Sequence, residues 1–378
     1  MINEERLKQT FTDLVRIYAP SGGEREVCEY LKKIMKRLGA KVTEDGAGEA
    51  TGTACGNLIA LFPATAEGLP GVAFTAHMDC VEKCKDIEPV LEDGVYRSRG
   101  DTILGGDDKA GVAAIVEALT VMKETMIPHG RILAVFTVQE ETSLGGSQNF
   151  DGRNAEGIDF GYVLDADGAP GTVAQAGPGE YKITCTMHGR AAHAGIEPEK
   201  GVNAIQMAAA ALSRIQSGRI DEETTCNVGC IEGGLATNIV PDTCTIRAEA
   251  RSRDPEKLLR TVKTMTDALK SAEADFPGGS AEVSAEELYQ GFSIGSDHES
   301  LRLVRAACAS QQLPFRLTVT GGGSDANWFN RNAFPAVLLG VGMTSFHTSS
   351  ESLALKDLID SARLVYGIIE AQSHAAHA

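Results

Sequence analysis

The chain has 378 residues, of which 43% are hydrophobic and 23% are charged, and its formal net charge at pH 7 is −17. This length exceeds what one hydrophobic core usually serves, so we expect two domains in an ordinary soluble globular protein. The negative charge argues against nucleic acid or an anionic membrane surface as a partner. No apolar run in the sequence is long enough to predict a membrane span.

Cysteine usage indicates a reducing compartment. The chain has nine cysteines, an odd number, and its first residues are charged and amphipathic rather than leader-like. None of the cysteines forms a C-x-x-C pair, which argues against a zinc clip of that kind. We therefore expect a cytoplasmic protein with reduced thiols.

Buried strands alternate with helices in the first half of the chain. Amphipathic spacing predicts two opening helices, and later apolar runs predict strands that are buried on both faces together with a very apolar helix. This pattern indicates an α/β sheet covered on both sides, in which ligands bind beyond the carboxyl ends of the strands. The predicted helices are 3–18, 24–38 and 110–123, and the predicted buried strands are 72–76, 131–138 and 160–165.

The pattern of predicted strands and helices changes near residue 179, and the earlier pattern returns after residue 293. Between these positions, alternating strands and two helices follow the order β-α-β-β-α-β, which is the order of a ferredoxin-like unit. One of these strands is predicted from Asn238 to Arg251. We therefore predict one discontinuous α/β domain, 1–178 and 294–378, with a ferredoxin-like domain, 179–293, inserted into it.

The strand at 72–76 ends by presenting His77 and Asp79. Residues i and i+2 of a strand point to the same side, so this imidazole and this carboxylate can face one point in space. That arrangement suits a metal site. Taken alone, however, a histidine at a strand end is more often a hydrogen-bonded structural residue than a ligand.

Further polar residues stand at strand ends along the same edge of the sheet. Two imidazoles and several carboxylates at one edge carry more negative charge than the edge tolerates without a cation. Histidine nitrogens and carboxylate oxygens without cysteine suit zinc, with cobalt or manganese as substitutes. A carboxylate that bridges two ions would make the site binuclear. The candidates are His77, Asp79, Asp107, Asp108, Glu140, Glu141, Asp165, Asp167 and His347.

The Glu140-Glu141 pair follows an uninterrupted apolar strand and precedes Gly145-Gly146. One of two such carboxylates can bind a metal while its neighbour accepts the proton of an activated water as general base. Most E-E dipeptides are solvated acidic pairs, but the position at a strand end favours the functional interpretation here.

These motifs resemble the co-catalytic zinc exopeptidases and amidohydrolases, a family that includes peptidase T, carboxypeptidase G and aminoacylase relatives. The resemblance is closest to the peptidase T-like members, and it spans nearly the whole chain in the right order. It implies a zinc-exopeptidase-like α/β catalytic domain with an inserted lid. The motifs are HMD at 77–79, GGDDKAG at 105–111, QEET at 139–142, LDADG at 164–168 and SFHTSSE at 345–351.

The resemblance also implies a set of metal ligands. His77 and Asp165 would bind one zinc ion, Glu141 and His347 would bind the other, and Asp107 would bridge the two ions. In this family, the peptide bond that follows the bridging aspartate is often cis.

Three further residues would take part in catalysis. Asp79 would orient His77, a task that carboxylates commonly perform for ligating imidazoles. Glu140 would be the general base for attack by zinc-bound hydroxide. His193 corresponds to a histidine that, in dimeric relatives, reaches the active site of the other subunit, which implies a homodimer formed through the lid. A capped turn histidine is the alternative interpretation of His193.

Four residues are predicted to contact the substrate. Asn238 and Arg251 stand where relatives contact substrate termini or a substrate carboxylate. Gly322 and Gly323 belong to a glycine-rich loop whose backbone N–H groups can bind a carboxylate. A plain turn between a strand and a helix is an equally good interpretation of this loop.

The leading hypothesis is a di-zinc aminopeptidase that removes N-terminal residues from short peptides, as peptidase T-like tripeptidases do. An amidohydrolase acting on N-acyl amino acids or on C-terminal amino acid amides uses the same chemistry and remains open. A non-catalytic binding protein that retains the fold is the third possibility, and it ranks low because no expected ligand is missing.

Overall fold

The computed structural model describes residues 1–374, and the chain forms two compact units. Of the described residues, the first unit contains 1–176, 293–320 and 324–374, and the second contains 177–292 and 321–323. Gly321–Gly323, which the sequence analysis assigns to the first domain, therefore group with the inserted unit. Residues 375–378 of the predicted first domain lie outside the described part of the chain.

An eight-stranded mixed sheet forms the centre of the first unit. Its four middle strands run parallel to one another and are almost completely buried, as their continuous apolar sequences predict. Parallel strands end at the same edge of the sheet, so the residues that follow their carboxyl ends lie close together. In spatial order the strands are Lys41–Glu44, Leu58–Phe62, Ile132–Thr137, Val72–His77, Phe160–Ala166, Ala336–Gly340, Thr172–Ala174 and Arg316–Thr318.

Helices pack against this sheet. Residues 106–119 of the helix Gly106–Thr125 are all buried, which agrees with the very apolar helix predicted there. The main helices of the unit are Glu4–Arg16, Arg25–Leu38, Gly106–Thr125, Glu299–Ser310 and Leu355–His374, and the short ones are Ala47–Thr51, Gly145–Gln148, Gly152–Ala155 and Asp325–Asn332.

A small four-stranded sheet also belongs to the first unit, and two short strands lie where the chain passes from one unit to the other. Among residues 1–374, no helix is long and apolar enough to cross a membrane. The small sheet contains Met343–Thr344, Ser352–Ala354, Val95–Ser98 and Pro89–Glu92, and the two short strands are Ala176–Gly177 and Phe292–Ser293.

The second unit has the predicted ferredoxin-like arrangement. The strands are antiparallel, and among the four long strands the first lies between the third and the fourth. Two helices, Ala204–Leu212 and Pro255–Ser271, enclose a separate hydrophobic core with the sheet. In spatial order the strands are Gly218–Arg219, Thr224–Gly233, Thr243–Ser252, Gly179–His188 and Ser280–Tyr289, and two short 3₁₀ helices are Pro198–Lys200 and Ala272–Ala274.

The strand predicted to begin at Asn238 begins at Thr243 instead, so this boundary was wrong. The intervening backbone makes hydrogen bonds with the first helix of the unit and the loop before it: Asn238 O accepts from Ala194 N in the loop, and Pro241 O accepts from the N–H of Ala204, where the helix begins. Pro241 has no N–H to donate to a sheet, which also argues against a strand at this point.

Candidate metal centre

Asp107 lies at the centre of the cluster that the sheet edge gathers. One carboxylate oxygen, Oδ1, is 3.1 Å from His77 Nε2, and the other, Oδ2, is 3.2 Å from His347 Nε2. The side chain of Asp107 is buried, and the peptide bond between Asp107 and Asp108 is cis, as the resemblance implies. One carboxylate thus faces two imidazoles through two different oxygens.

Each imidazole has a second carboxylate beside it. On one side, Asp165 Oδ1 is 3.9 Å from His77 Nε2, and on the other, Glu141 Oε2 is 2.9 Å from His347 Nε2. His77 ends one parallel strand and Asp165 stands near the end of its neighbour, so strand pairing brings them together. The five predicted ligands therefore lie in one cluster, with two groups that share Asp107.

The donor atoms fit a pair of divalent cations. Ligands around a tetrahedral zinc ion lie about 3.3 Å apart when metal-ligand distances are about 2.0 Å, which is close to the spacings around Asp107. Glu141 Oε1 is buried and has no hydrogen-bond partner within residues 1–374. A buried carboxylate oxygen without a donor is costly unless it faces a cation, so this atom favours a metal ion.

The electrostatics of the cluster also call for positive charge. Burial raises the pKa of Glu140 well above its usual range, and the nearby carboxylates of Asp325 and Glu141 raise it further. Burial also raises the pKa of Asp165, with contributions from Glu140 and Asp107. These carboxylates can be ionised together only if cations compensate their charge.

Glu140 lies close to the group around His77. Ligand atoms of His77, Glu140 and Asp165 all lie within 4.8 Å of one another. A carboxylate at this distance can either bind a metal or accept a proton from water beside it. The prediction that Glu140 is the general base is compatible with this position.

Asp79 is completely buried, and its carboxylate accepts hydrogen bonds from the backbone of both Glu140 and Glu141. Its Oδ1 accepts the N–H of Glu140 at 3.0 Å, and its Oδ2 accepts the N–H of Glu141 at 3.2 Å. His77 Nδ1 is 3.1 Å from the carbonyl oxygen of Asp79 and 3.5 Å from its Oδ1. Asp79 therefore lies where it can orient His77, and it also fixes the turn that carries the predicted base.

Sequence reasoning missed two residues that complete this arrangement. Ser21 Oγ donates to Asp79 Oδ2 at 2.6 Å, and Glu24 Oε1 accepts the N–H of Gln139 at 3.0 Å. Both residues belong to the segment APSGGE, which the sequence indicates only as the break between two helices, with Glu24 at the start of the second. Their partners are distant in sequence, so no local pattern could have identified them.

Lys109 belongs to the motif GGDDKAG, and the sequence predicts no role for it. It is fully buried next to the segments that carry the cluster. Its ammonium group donates to the carbonyl oxygen of Met78 at 2.5 Å and lies 3.1 Å from Cys80 Sγ. This positive charge links the start of the helix that follows Asp107 to the segment that follows His77.

The other predicted site residues belong to the second unit. His193 is exposed, and its Nδ1 accepts the N–H of Gly195 at 3.2 Å, which leaves Nε2 to carry the proton of a neutral ring. Asn238 is also exposed. Gly323 lies against Tyr289, because a Cβ at this glycine would be 2.2 Å from the hydroxyl oxygen. The substrate contacts of Asn238, Gly322 and Gly323 stay predictions.

Arg251 already has acidic partners in its own unit. Its Nη2 is 3.2 Å from Glu180 Oε2 and 3.0 Å from Glu249 Oε2. Two carboxylates therefore compensate the single positive charge of the guanidinium. The substrate contact of Arg251 stays a prediction.

Two parts of the chain match described families. Residues 173–277 match the M20 peptidase dimerisation domain, and residues 101–190 match the M42 glutamyl aminopeptidase family. The first match covers most of the second unit, and the second match includes Asp107, Glu140, Glu141 and Asp165.

Three relatives match over almost their whole lengths. The crystal structure of aminopeptidase PepT from Bacillus cereus is 41% identical, with a TM-score of 0.91 over 98% of this chain and 99% of that chain. The crystal structure of a tripeptidase from Staphylococcus aureus is 39% identical, with a TM-score of 0.95 over 99% of this chain and 100% of that chain. The uncharacterized protein YqjE of Bacillus subtilis is 42% identical over 98% of this chain and 99% of its own length.

These identities extend over both units, so they concern the whole protein and not only one motif. They confirm both the predicted fold class, an α/β domain with an inserted ferredoxin-like domain, and the resemblance that the motifs carry. The chain belongs to the peptidase T-like group of the M20 metallopeptidase family.

Proposed function

We propose that this protein is a di-metal aminopeptidase that removes N-terminal residues from short, free peptides. The observation that carries the proposal is the placement of Asp107 between two imidazoles, each with a further carboxylate beside it. The solved relatives named as an aminopeptidase and a tripeptidase support the same substrate class.

In this proposal five residues would hold the metal. His77 and Asp165 would hold one ion, Glu141 and His347 would hold the other, and Asp107 would be shared between them. The donor set favours zinc, with cobalt or manganese as substitutes. Two such ions would lower the pKa of a water molecule and polarise the scissile carbonyl group.

Glu140 moves the proton. It accepts a proton from the attacking water and returns it to the amine that leaves when the C–N bond breaks. Its backbone N–H is held by Asp79, which is itself held by Ser21. This chain of hydrogen bonds limits the movement of the base, and proximity of this kind contributes strongly to rate.

We further propose that two chains associate through the second unit. Beyond the short pairing with Gly218–Arg219, the strand Thr224–Gly233 has an unpaired outer edge in the described structure. Ile231 near the end of this strand is 49% exposed, and Leu235 just after it is 93% exposed. An apolar sheet edge favours pairing with a second copy, and His193 would then act in the partner's site through its Nε2 proton.

An amidohydrolase of N-acyl amino acids is the competing function, because the same metal chemistry cleaves both substrates. The solved relatives named as an aminopeptidase and a tripeptidase favour the aminopeptidase. The two functions differ in one group of the substrate, because an acyl group removes the positive charge of the free amine.

A digest of matched peptides tests the proposed function. We expect the metal-loaded protein to release N-terminal residues from free di-, tri- and tetrapeptides, as read by mass spectrometry. N-acetylation of the same peptides should lower kcat/KM by at least about tenfold, because the charged amine is lost. Faster hydrolysis of N-acetyl amino acids than of any free peptide would overturn the proposal in favour of the amidohydrolase.

The role of Glu140 is tested by Glu140→Gln, which keeps the shape but cannot accept a proton. We expect kcat to fall by about 10²- to 10⁴-fold, the usual contribution of a general base, with metal content unchanged. Glu67→Gln, at an exposed glutamate, is the matched control and should keep full activity. Near-wild-type turnover of the metal-loaded Glu140→Gln protein would rule out the proposed role.

The oligomeric state is tested by Ile231→Lys, which places a charge at the unpaired sheet edge. We expect the mass measured by light scattering to fall from that of a dimer toward that of one chain, because edge lysines oppose strand pairing. Leu259→Lys, at a leucine that is 55% exposed on the helix Pro255–Ser271, is the control and should stay dimeric. A wild-type protein that is monomeric at all concentrations would contradict the dimer.

A further inference from the structure

Glu351 is a buried carboxylate with no assigned role. Its side chain is 2% exposed, and it accepts three backbone N–H groups from the segment that leads into Asp107. Oε2 accepts from Leu104 at 2.8 Å and from Gly105 at 2.9 Å, and Oε1 accepts from Asp107 at 3.0 Å. Both oxygens are therefore used, and all of their donors belong to one short stretch of chain.

The backbone of residues 104–107 curves around the carboxylate of Glu351, and its shape depends on that carboxylate. Gly105 has a left-handed φ of +70°, which glycine adopts readily. A Cβ at Gly106 would be 3.1 Å from Glu351 Oε1, so the backbone approaches the carboxylate closely at this point. Successive N–H groups that converge in this way form an anion-binding concavity.

Glu351 comes four residues after His347, and both residues contact Asp107, one at its side chain and the other at its backbone. His347 Nε2 contacts the side chain of Asp107 at 3.2 Å, while Glu351 accepts the backbone N–H of the same residue. The connecting turn is compact, because Glu351 N donates to Thr348 O at 3.1 Å and Thr348 Oγ1 donates to Ser345 O at 2.7 Å. A shift of Glu351 would therefore move Asp107 and His347 relative to each other.

Burying a carboxylate is costly, and an aliphatic side chain could fill the same space without that cost. Three hydrogen bonds to a charged acceptor offset the cost only while the backbone of 104–107 keeps its present shape. Packing alone does not require a carboxylate at this position.

We propose that Glu351 is a positioning residue that sets the Asp107 carboxylate between His77 and His347, and thereby sets the affinity of the centre for its metal ions. The inference rests on the proposed metal centre. Glu351 neither binds the metal nor contacts the substrate in this account; it acts through the backbone of Asp107.

The test compares Glu351→Gln with Glu117→Gln. The first substitution keeps the volume of the side chain, but the new amide N–H₂ group would face N–H donors and could not accept from them. Glu117 is a close match, because it is 1% exposed and also uses both oxygens, accepting from Asn3 N at 2.7 Å and from Arg6 Nε at 2.6 Å. Both variants lose buried hydrogen bonds, but only one of them lies beside Asp107.

The readout is metal binding, not activity. Metal-free full-length proteins are titrated with Zn²⁺ against a chromophoric chelator, and the Co²⁺ forms are compared by their absorption spectra. We expect Glu351→Gln to weaken Zn²⁺ binding by about 10- to 100-fold, as is typical when a residue that orients a ligand is lost. Its Co²⁺ spectrum should change. Glu117→Gln should leave both readouts unchanged even if it lowers Tm.

A second variant keeps the inference falsifiable if Glu351→Gln does not fold. Glu351→Asp keeps the charge and part of the hydrogen bonds, so its Zn²⁺ affinity should lie between those of the wild type and Glu351→Gln. Wild-type affinity in a folded Glu351 variant, or an equal loss in Glu117→Gln, would overturn the inference. Failure of the wild-type protein itself to bind two ions would instead contradict the proposed metal centre.

Discussion

The contact of one carboxylate with two imidazoles is the feature on which the rest of the site depends. Asp107 reaches His77 through one oxygen and His347 through the other. These three residues come from a strand end, the start of a buried helix and a turn near the end of the chain. The mixed sheet makes this meeting possible, because its parallel strands end at one edge and helices pack beside them.

Three further buried carboxylates accept hydrogen bonds from the backbone of the residues that form the site or lie next to it. Asp79 fixes Glu140 and Glu141, Glu24 fixes Gln139, and Glu351 fixes Asp107, in each case by accepting N–H groups. Burying a carboxylate is costly, and the hydrogen bonds from backbone N–H groups offset part of that cost. These hydrogen bonds fix the backbone around the site, although the carboxylates of the site repel one another. Fixed positions of this kind are what a preformed cation site requires.

Much of this organisation could be predicted from the sequence, because periodicity and strand ends are local patterns. The buried strands, the apolar helix after Asp107 and the inserted ferredoxin-like unit follow from such patterns. The strand predicted from Asn238 began too early, because Pro241 and its neighbours pair with a remote loop. The positions of Ser21, Glu24 and Glu351 next to the site were missed for a related reason: each contacts a residue far away in sequence, Ser21 through a side chain and the two glutamates through backbone N–H groups. The contact of Arg251 with Glu180 could not be inferred either, since it depends on strand register.

Anomalous diffraction from crystals grown with zinc would show whether Asp107 is shared between two metal ions. We expect two peaks at the zinc edge, one on each side of the Asp107 carboxylate. The first should lie beside His77 and Asp165, and the second beside Glu141 and His347. A single peak at this carboxylate, or zinc bound only elsewhere on the chain, would rule out a shared Asp107.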